Sequence, residues 1–190
     1  MTLAKGAPLD LESINDATFN RDPASDVYGI MLSYAGGAVL HKTKLFRCAV
    51  GSAHEGEAIP TVMGSDFLAV GREALRSMGD PQDQPSFLGT DNFANALIAS
   101  NEGNATRSRH FLRRYYVLLQ RVKAGDNVIG HVPDTENPSD FLTKWVSKAK
   151  LQQSLLYLTN ANAIKGDGRR RVTPLEVSVL TAVYGDKGEG

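Results

Sequence analysis

Three short apolar runs separated by turn residues open the chain, and at Ser52 their strand-like pattern gives way to helical spacing. Such a chain must pack helices against a sheet that begins as an antiparallel meander. Ser13–Phe19 alternates and reads as a strand, followed by a turn-rich loop with Asn20, Asp22 and Pro23. Val27–Tyr34 reads as a second strand, Gly36-Gly37 as a hairpin turn and Ala38–His41 as the returning strand. Leu45–Val50 is a third apolar run.

Ser52 and Glu55 have capping-box spacing and mark a helix start. Ile59, Val62, Met63, Leu68, Val70, Leu75 and Met78 follow at roughly helical intervals, although Pro60, Gly64 and Gly71 weaken the helix and Pro60 is expected to kink or delay it. Pro81–Pro85 is a loop and Ser86–Thr90 a brief strand, with Asp91-Asn92 placed to cap a helix over Phe93–Ser100. Asn101–Asn104 breaks that helix. The clearest helix spans 110–122, where Phe111, Tyr115, Leu118, Leu119 and Val122 form one apolar stripe. Gly125-Asp126 turns into a strand over Asn127–Val132, and Asn137 caps a last helix with Pro138 at its first position and Asp140 in its first turn. The order predicts an α/β fold with a mixed five-stranded sheet, three antiparallel strands and then parallel ones reached by helical crossovers.

At 190 residues, with 42% apolar and 22% charged side chains, the chain reads as one globular domain plus a tail rather than a disordered polymer. The division read from the pattern is an arm over 1–12, a domain over 13–150 and a partly helical extension over 151–190 with a flexible Gly-rich end. The extension holds Gly166-Asp167-Gly168, Arg169–Arg171 and a helical stretch over Pro174–Tyr184. The arginine run is either a nuclear-import patch or, the simpler reading, part of a solvated tail. Cys48 is the sole cysteine, which excludes an internal disulfide and a cysteine zinc cluster; it reads as a small buried residue. No run approaches the ~20 apolar residues that span a bilayer, and the N-terminus lacks a signal-peptide core, so a soluble intracellular protein, cytoplasmic or nuclear, is expected.

Lysines plus arginines number 21, as do the acids, so net charge is zero and a simple polycation is excluded. The layout is uneven: residues 106–125 carry Arg107, Arg109, Arg113, Arg114, Arg121 and Lys123 and no acid. A lone basic helix is more often a solvated face than a phosphate-binding ridge. The ridge reading gains weight only beside an acidic site.

Four acids stand where chemistry is mounted on a mixed sheet: Asp16 in the first strand, Glu57 in the first turns of the long helix, Asp91 after the fourth strand, and Asp140 at the last helix start. Converging carboxylates repel one another unless divalent cations neutralise them, and hard oxygen ligands favour Mg²⁺ or Mn²⁺. Position alone does not bring them together, because an Asp at a helix start is more often a cap.

The motifs around these acids resemble those of a known family. Ser52-Ala53-His54-Glu55-Gly56-Glu57-Ala58 resembles the Ser-Thr-Glu-Ala-Glu-Tyr motif of the ribonuclease H domain in copia-type LTR retrotransposon polyproteins. Asp91-Asn92-Phe93-Ala94-Asn95-Ala96 resembles its Asp-Asn-Gln-Ser-Ala segment, and Ser108-Arg109-His110 with the basic helix is similar to its Thr-Lys-His plus helix. The run from Val132-Pro133 to Ser139-Asp140-Phe141-Leu142-Thr143-Lys144 resembles its Val-Pro-Thr…Ala-Asp-Ile-Leu-Thr-Lys and is the most specific of the set. Upstream, Asn15-Asp16-Ala17 resembles Ser-Asp-Ala and Val27-Tyr28-Gly29 the Gly-Tyr strand, so the likeness spans about residues 13 to 146.

The resemblance implies a ribonuclease H-like sheet in which Asp16, Glu57, Asp91 and Asp140 ligate two Mg²⁺ ions, with Mn²⁺ as an alternative, and Glu55 keeps the capping role. It implies two-metal hydrolysis of the RNA strand of RNA–DNA hybrids, leaving 3′-hydroxyl and 5′-phosphate ends. Asn92, Arg107, Arg109, His110, Arg113 and Arg114 would hold the hybrid, and reverse transcriptase or integrase domains of a parent polyprotein would be partners. Ala58 replaces the family's Tyr, and Pro60 and Gly64 enter a helix normally rich in Ala and Leu. These departures keep alive an inactive module that binds hybrid or a partner protein; a nuclease of the same fold acting on DNA is a third reading. His41, His54, His110 and His131 lack zinc-ligand spacing, and His131 reads as a strand-end residue rather than an aid to product release. Trp145, Phe111 and Tyr115 read as core rather than base-stacking residues.

Overall fold

The computed structural model describes residues 10–20, 22, 25–47, 50–92 and 112–159, the side chains of 112–114 excepted. Strands β1 (Leu11–Ala17), β2 (Val27–Tyr34), β3 (Gly37–Leu45), β4 (Ser86–Thr90) and β5 (Asn127–His131) form one sheet in the order β3-β2-β1-β4-β5. The pairs β1–β2 and β2–β3 are antiparallel, while β1–β4 and β4–β5 are parallel. This is the mixed α/β sheet that the pattern predicts. Helices α1 (Ala53–Ser77), α2 (Leu112–Lys123) and α3 (Lys148–Leu158) flank it, and a short 3₁₀ turn covers Asp140–Leu142.

The two-residue period of β1 sorts its side chains between two layers. Ser13 and Asn15 face α1: a Cβ added at Gly64 would come within 2.8 Å of Ser13 Oγ, and Thr61 lies 3.0 Å from Asn15. Glu12 and Asp16, on the alternate positions, meet Tyr157 of α3 and Thr143. The apolar core lies on the α1 side, where Leu11, Leu32, Leu68, Leu75, Leu88, Tyr115, Leu118 and Ile129 are buried together.

Several boundaries differ from the pattern, each for a physical reason. β1 starts at Leu11, inside the predicted arm, because Glu12 pairs with Phe87 and buried Leu11 packs against Gly71; Phe19, given to the strand, is half exposed beyond it. The hairpin turn is Ala35-Gly36, both at positive φ (51° and 75°), with Tyr34 opposite Gly37. β3 runs on to Leu45 because backbone pairing with the whole of β2 holds it, although its outer face is polar and exposed. The third apolar run is therefore not a separate strand: Leu45 ends β3 and Phe46 turns onto the Tyr28 ring, 5.1 Å between centroids. Cys48 lies outside the described residues.

Helix α1 starts at the predicted cap, with Ser52 Oγ accepting from the Glu55 amide at 3.2 Å, and runs through Pro60 without a delayed start. Gly64 and Gly71, poor helix formers, let it lie close on the sheet, since Cβ atoms there would press on Ser13, Leu88 and Leu11. β4 falls on its predicted bounds; β5 ends one residue early, though the Val132 amide still donates to the Thr90 carbonyl. The predicted helix over Phe93–Ser100 lies outside the described residues, as do Phe111 and residues 160–190.

The predicted helix at Asn137 is a correction. Asn137 Oδ1 does accept from the Ser139 amide at 2.9 Å, but only the single 3₁₀ turn follows. Asp140 and Thr143 turn inward to contacts on other elements, which a continuing helix would not allow. The last helix is instead α3, capped by Ser147, and it crosses the 150/151 division. Tyr115 is buried as predicted, whereas Trp145 is fully exposed (104%) rather than core.

Candidate active site

Parallel pairing brings the first two acids together. Asn15 of β1 lies opposite Thr90 of β4, so the next residues, Asp16 and Asp91, leave adjacent strands at the same end. The 3₁₀ turn delivers Asp140 to that end. Leu142, two residues on, packs so closely over Gly29, the β2 partner of Asp16, that a Cβ there would lie 2.7 Å away. Carboxylate oxygens of Asp16, Asp91 and Asp140 all lie within 4.8 Å of one another; Asp16 and Asp140 are fully buried and Asp91 is half-buried.

Glu57 is buried on the second turn of α1 and stands outside this tight triad. Its Oε1 accepts from the Ala17 amide at 3.1 Å, next in chain to Asp16. Glu57 Oε2, Asp16 Oδ1 and Asp140 Oδ1 are buried oxygens that accept no hydrogen bond. Among the described residues, Ser13 and Asp26 hold the other such side-chain oxygens. Buried carboxylate oxygens without hydrogen bonds, two of them facing the Lys144 ammonium at 3.3 and 3.8 Å, are the kind of donor a hard divalent cation takes.

Electrostatics follows from burial and crowding. Desolvation, reinforced by the Asp91 and Asp16 charges, pushes the Glu57 carboxyl up to about 9. Desolvation likewise raises Asp16 to about 7, with the Asp91 charge adding and the Thr143 hydroxyl, hydrogen-bonded to Asp16 Oδ2, opposing. Burial also raises Asp91, against the lowering effects of Asp16 and Lys144. Two ammonium groups offset the acids. Lys144 Nζ lies 2.9 Å from Asp134, 3.3 Å from Asp140 and 3.8 Å from Asp16. Burial would lower its pKa, but these acids outweigh that and hold it above the ordinary lysine value. Lys150 of α3 donates to Asp140 Oδ2 and to the Asp134 carbonyl.

Beneath the acids lies a buried network of uncharged polar groups. Asn15 Nδ2 donates to the Gly89 carbonyl at 2.8 Å, and the Thr61 hydroxyl stands between Asn15 Oδ1 (3.0 Å) and the Glu57 carbonyl (2.7 Å). Asn137 Nδ2 reaches the Asn15 carbonyl at 3.4 Å, and Ser139 Oγ donates to Asn137 Oδ1 at 2.6 Å. These bonds tie together β1, β4, α1 and the loop before Asp140. In the sequence Asn15, Thr143 and Lys144 stand only as motif letters, and neither Thr61 nor Lys150 is marked as a site residue. Nothing local marks Lys150, whose partners come from the fold.

Of the predicted substrate contacts, Asn92 sits half-buried beside Asp91, its amide 3.3 Å from Thr90 Oγ1. Arg113 and Arg114 belong to the first turn of α2, but their side chains, with the whole of Arg107, Arg109 and His110, lie outside the described residues. Among the described residues no helix is long and apolar enough to cross a membrane.

No protein-family profile matches the chain. Its sequence is 26% identical over 125 residues to the retrovirus-related Pol polyprotein from transposon TNT 1-94 of Nicotiana tabacum, a match that covers 65% of this chain and 9% of that polyprotein. Three solved structures share its fold. LC11 RNase H1 in complex with an RNA/DNA hybrid has a TM-score of 0.54 at 12% identity, covering 70% of this chain and 94% of that one. The N-terminal RNase H domain of Rv2228c from Mycobacterium tuberculosis scores 0.52 at 16% identity, covering 77% and 99%. RNase H1 from Halobacterium salinarum scores 0.50 at 18% identity, covering 70% and 94%. The chain thus has a ribonuclease H-like fold, and its sequence is similar to about a tenth of a retrotransposon Pol polyprotein.

Proposed function

We propose that this chain is a divalent-metal-dependent endonuclease that hydrolyses the RNA strand of RNA–DNA hybrids. The observation that carries the reading is the meeting of Asp16, Asp91 and Asp140, from three separate segments, within 4.8 Å, with buried oxygens that accept no hydrogen bond. Asp16, Asp91 and Asp140, with Glu57 beside them, would hold Mg²⁺ or Mn²⁺. A pair of such ions, when bound, supplies an activated water and stabilises the leaving oxygen of a phosphodiester. The chain's own part is orientation. Thr143 fixes one oxygen of Asp16, the Ala17 amide fixes one of Glu57, and the Asn15–Thr61–Asn137 network sets the spacing between their elements.

Asn92 stands where it would meet the hybrid beside Asp91. The basic stretch from Arg107 through Arg109, His110, Arg113 and Arg114 would hold the phosphate backbone, so binding weakens with salt. Discrimination between strands would rest on groove shape and the 2′-hydroxyl rather than on base sequence. The solved neighbour bound to an RNA/DNA hybrid supports this substrate, and the polyprotein likeness supports reverse transcriptase or integrase domains as partners. Helix α1 runs unbroken through Pro60 and keeps Glu57 beside the acids, which supports the active reading over an inactive module.

The test is incubation with Mg²⁺ and end-labelled RNA–DNA hybrid, duplex DNA or duplex RNA, with Asp91→Asn as control. Cleavage of only the hybrid's RNA strand, lost in the variant, is the expected result. Tight hybrid binding without cleavage in Mg²⁺ or Mn²⁺ identifies an inactive binding module instead.

A further inference from the structure

Helix α3 contributes a cation to the acidic site from outside the motifs that define it. We propose that Lys150 is a tethered counter-ion of the site, so that divalent-cation binding and the docking of α3 oppose each other. The inference rests on the proposed metal reading and adds a coupling between that site and a helix.

Lys150 is the third residue of α3, and its amide caps onto Ser147 Oγ at 3.2 Å. A helix N-terminus favours anions, yet the first turn of α3 holds Lys148 and Lys150 and no acid. Helix stability therefore does not account for Lys150, and its partners do. Its Nζ donates to Asp140 Oδ2 and to the Asp134 carbonyl, and lies 3.8 Å from Asp134 Oδ2. The other end of α3 is fastened to the sheet, where the Tyr157 hydroxyl donates to buried Glu12 at 3.1 Å and lies 3.2 Å from Ser33 Oγ. The helix is thus held at one end by β1 and β2 and at the other by a carboxylate of the triad. A divalent ion on Asp140 takes over the charge that Lys150 neutralises and repels the ammonium. Lys144 differs, because it lies four residues after Asp140 on the same segment and on no helix.

Coupling of this kind is reciprocal: what loosens α3 tightens the ion, and the ion loosens α3. The test is calorimetric titration of the full chain with Mn²⁺ alone, comparing wild type with Lys150→Met and Tyr157→Phe, together with amide hydrogen exchange. Lys150→Met is expected to bind Mn²⁺ roughly tenfold more tightly. Tyr157→Phe, which leaves the charge unchanged and keeps the comparison open should Lys150→Met fail to fold, is expected to bind it several-fold more tightly. In wild type, exchange over Lys148–Leu158 should quicken when Mn²⁺ is added. Tighter binding by Lys150→Met alone, with Tyr157→Phe and α3 exchange unmoved, reduces Lys150 to a through-space charge and overturns the coupling. Equal affinity in all three proteins overturns it as well. Absence of Mn²⁺ binding in wild type, or binding unaltered by Asp16→Asn, overturns the metal reading itself and the coupling with it.

Discussion

At the scale of residues, Glu57, Asp16 and Asp91 sit in an environment that disfavours their charge. Glu57 and Asp16 are raised to about 9 and 7, chiefly by burial. Unfolded carboxyls titrate near ~4, so the folded state holds extra protons between about pH 4 and 9. The stability these groups contribute is complete below the unfolded pKa and lost as pH rises through the folded values. The metal-free protein should therefore melt at falling temperature from pH 5 to 9, and saturating Mg²⁺ should flatten that slope; thermal scans across pH check both. Glu57→Gln keeps the acceptor for the Ala17 amide and removes the proton uptake that folding demands of Glu57 at pH 8. It should raise the metal-free melting temperature at pH 8 and depress hybrid cleavage by about 100-fold or more, a trade between stability and function. Single residues were the most readable level: the acids stood in motifs with order and spacing. Trp145 shows the limit, since aromatic character alone does not say whether a ring is core, and this one is exposed beside Lys144. As the chain's one tryptophan it is a built-in reporter, and its emission should shift when hybrid occupies the acid cluster. A spectrum unchanged at saturating hybrid would place the bound duplex elsewhere.

At the scale of elements, periodicity located strands and helices where one face is buried and failed where pairing or a buried charge decides. β3 lengthened because backbone pairing, not its exposed side chains, holds it. The helix expected at Asn137 shrank to one 3₁₀ turn because Asp140 and Thr143 answer to partners on other elements. The glycines that weaken α1 on propensity serve its seat on the sheet. Gly64→Ala gains ~1 kcal/mol of helix propensity, yet its Cβ would meet Ser13 Oγ at 2.8 Å and Leu88 Cδ1 at 3.0 Å. Overpacking of this kind costs ~1–3 kcal/mol, so the net change in a urea titration should be destabilising. A gain in stability would show that α1 does not lie as close to β1 and β4 as the structure has it.

At the scale of the whole molecule, sheet topology does what no local pattern could. Placing β4 parallel beside β1 sets Asp16 and Asp91 at one end, and the returning chain adds Asp140 there. The sequence carried the identities of these acids through resemblance, but their convergence belongs to the fold, as does the Lys150 ammonium that joins Lys144 in offsetting them. Helix α3 illustrates the same point, since a division drawn at residue 150 cuts an element whose two ends touch the site and the sheet. The central claim is that acids from distant segments make one divalent-cation site. Anomalous diffraction from crystals of the chain soaked in Mn²⁺ tests it most directly. The account predicts a manganese peak ligated by Asp16, Asp91 and Asp140 that disappears in Asp16→Asn; manganese bound elsewhere on the chain, or none at these carboxylates at saturating concentration, would contradict it.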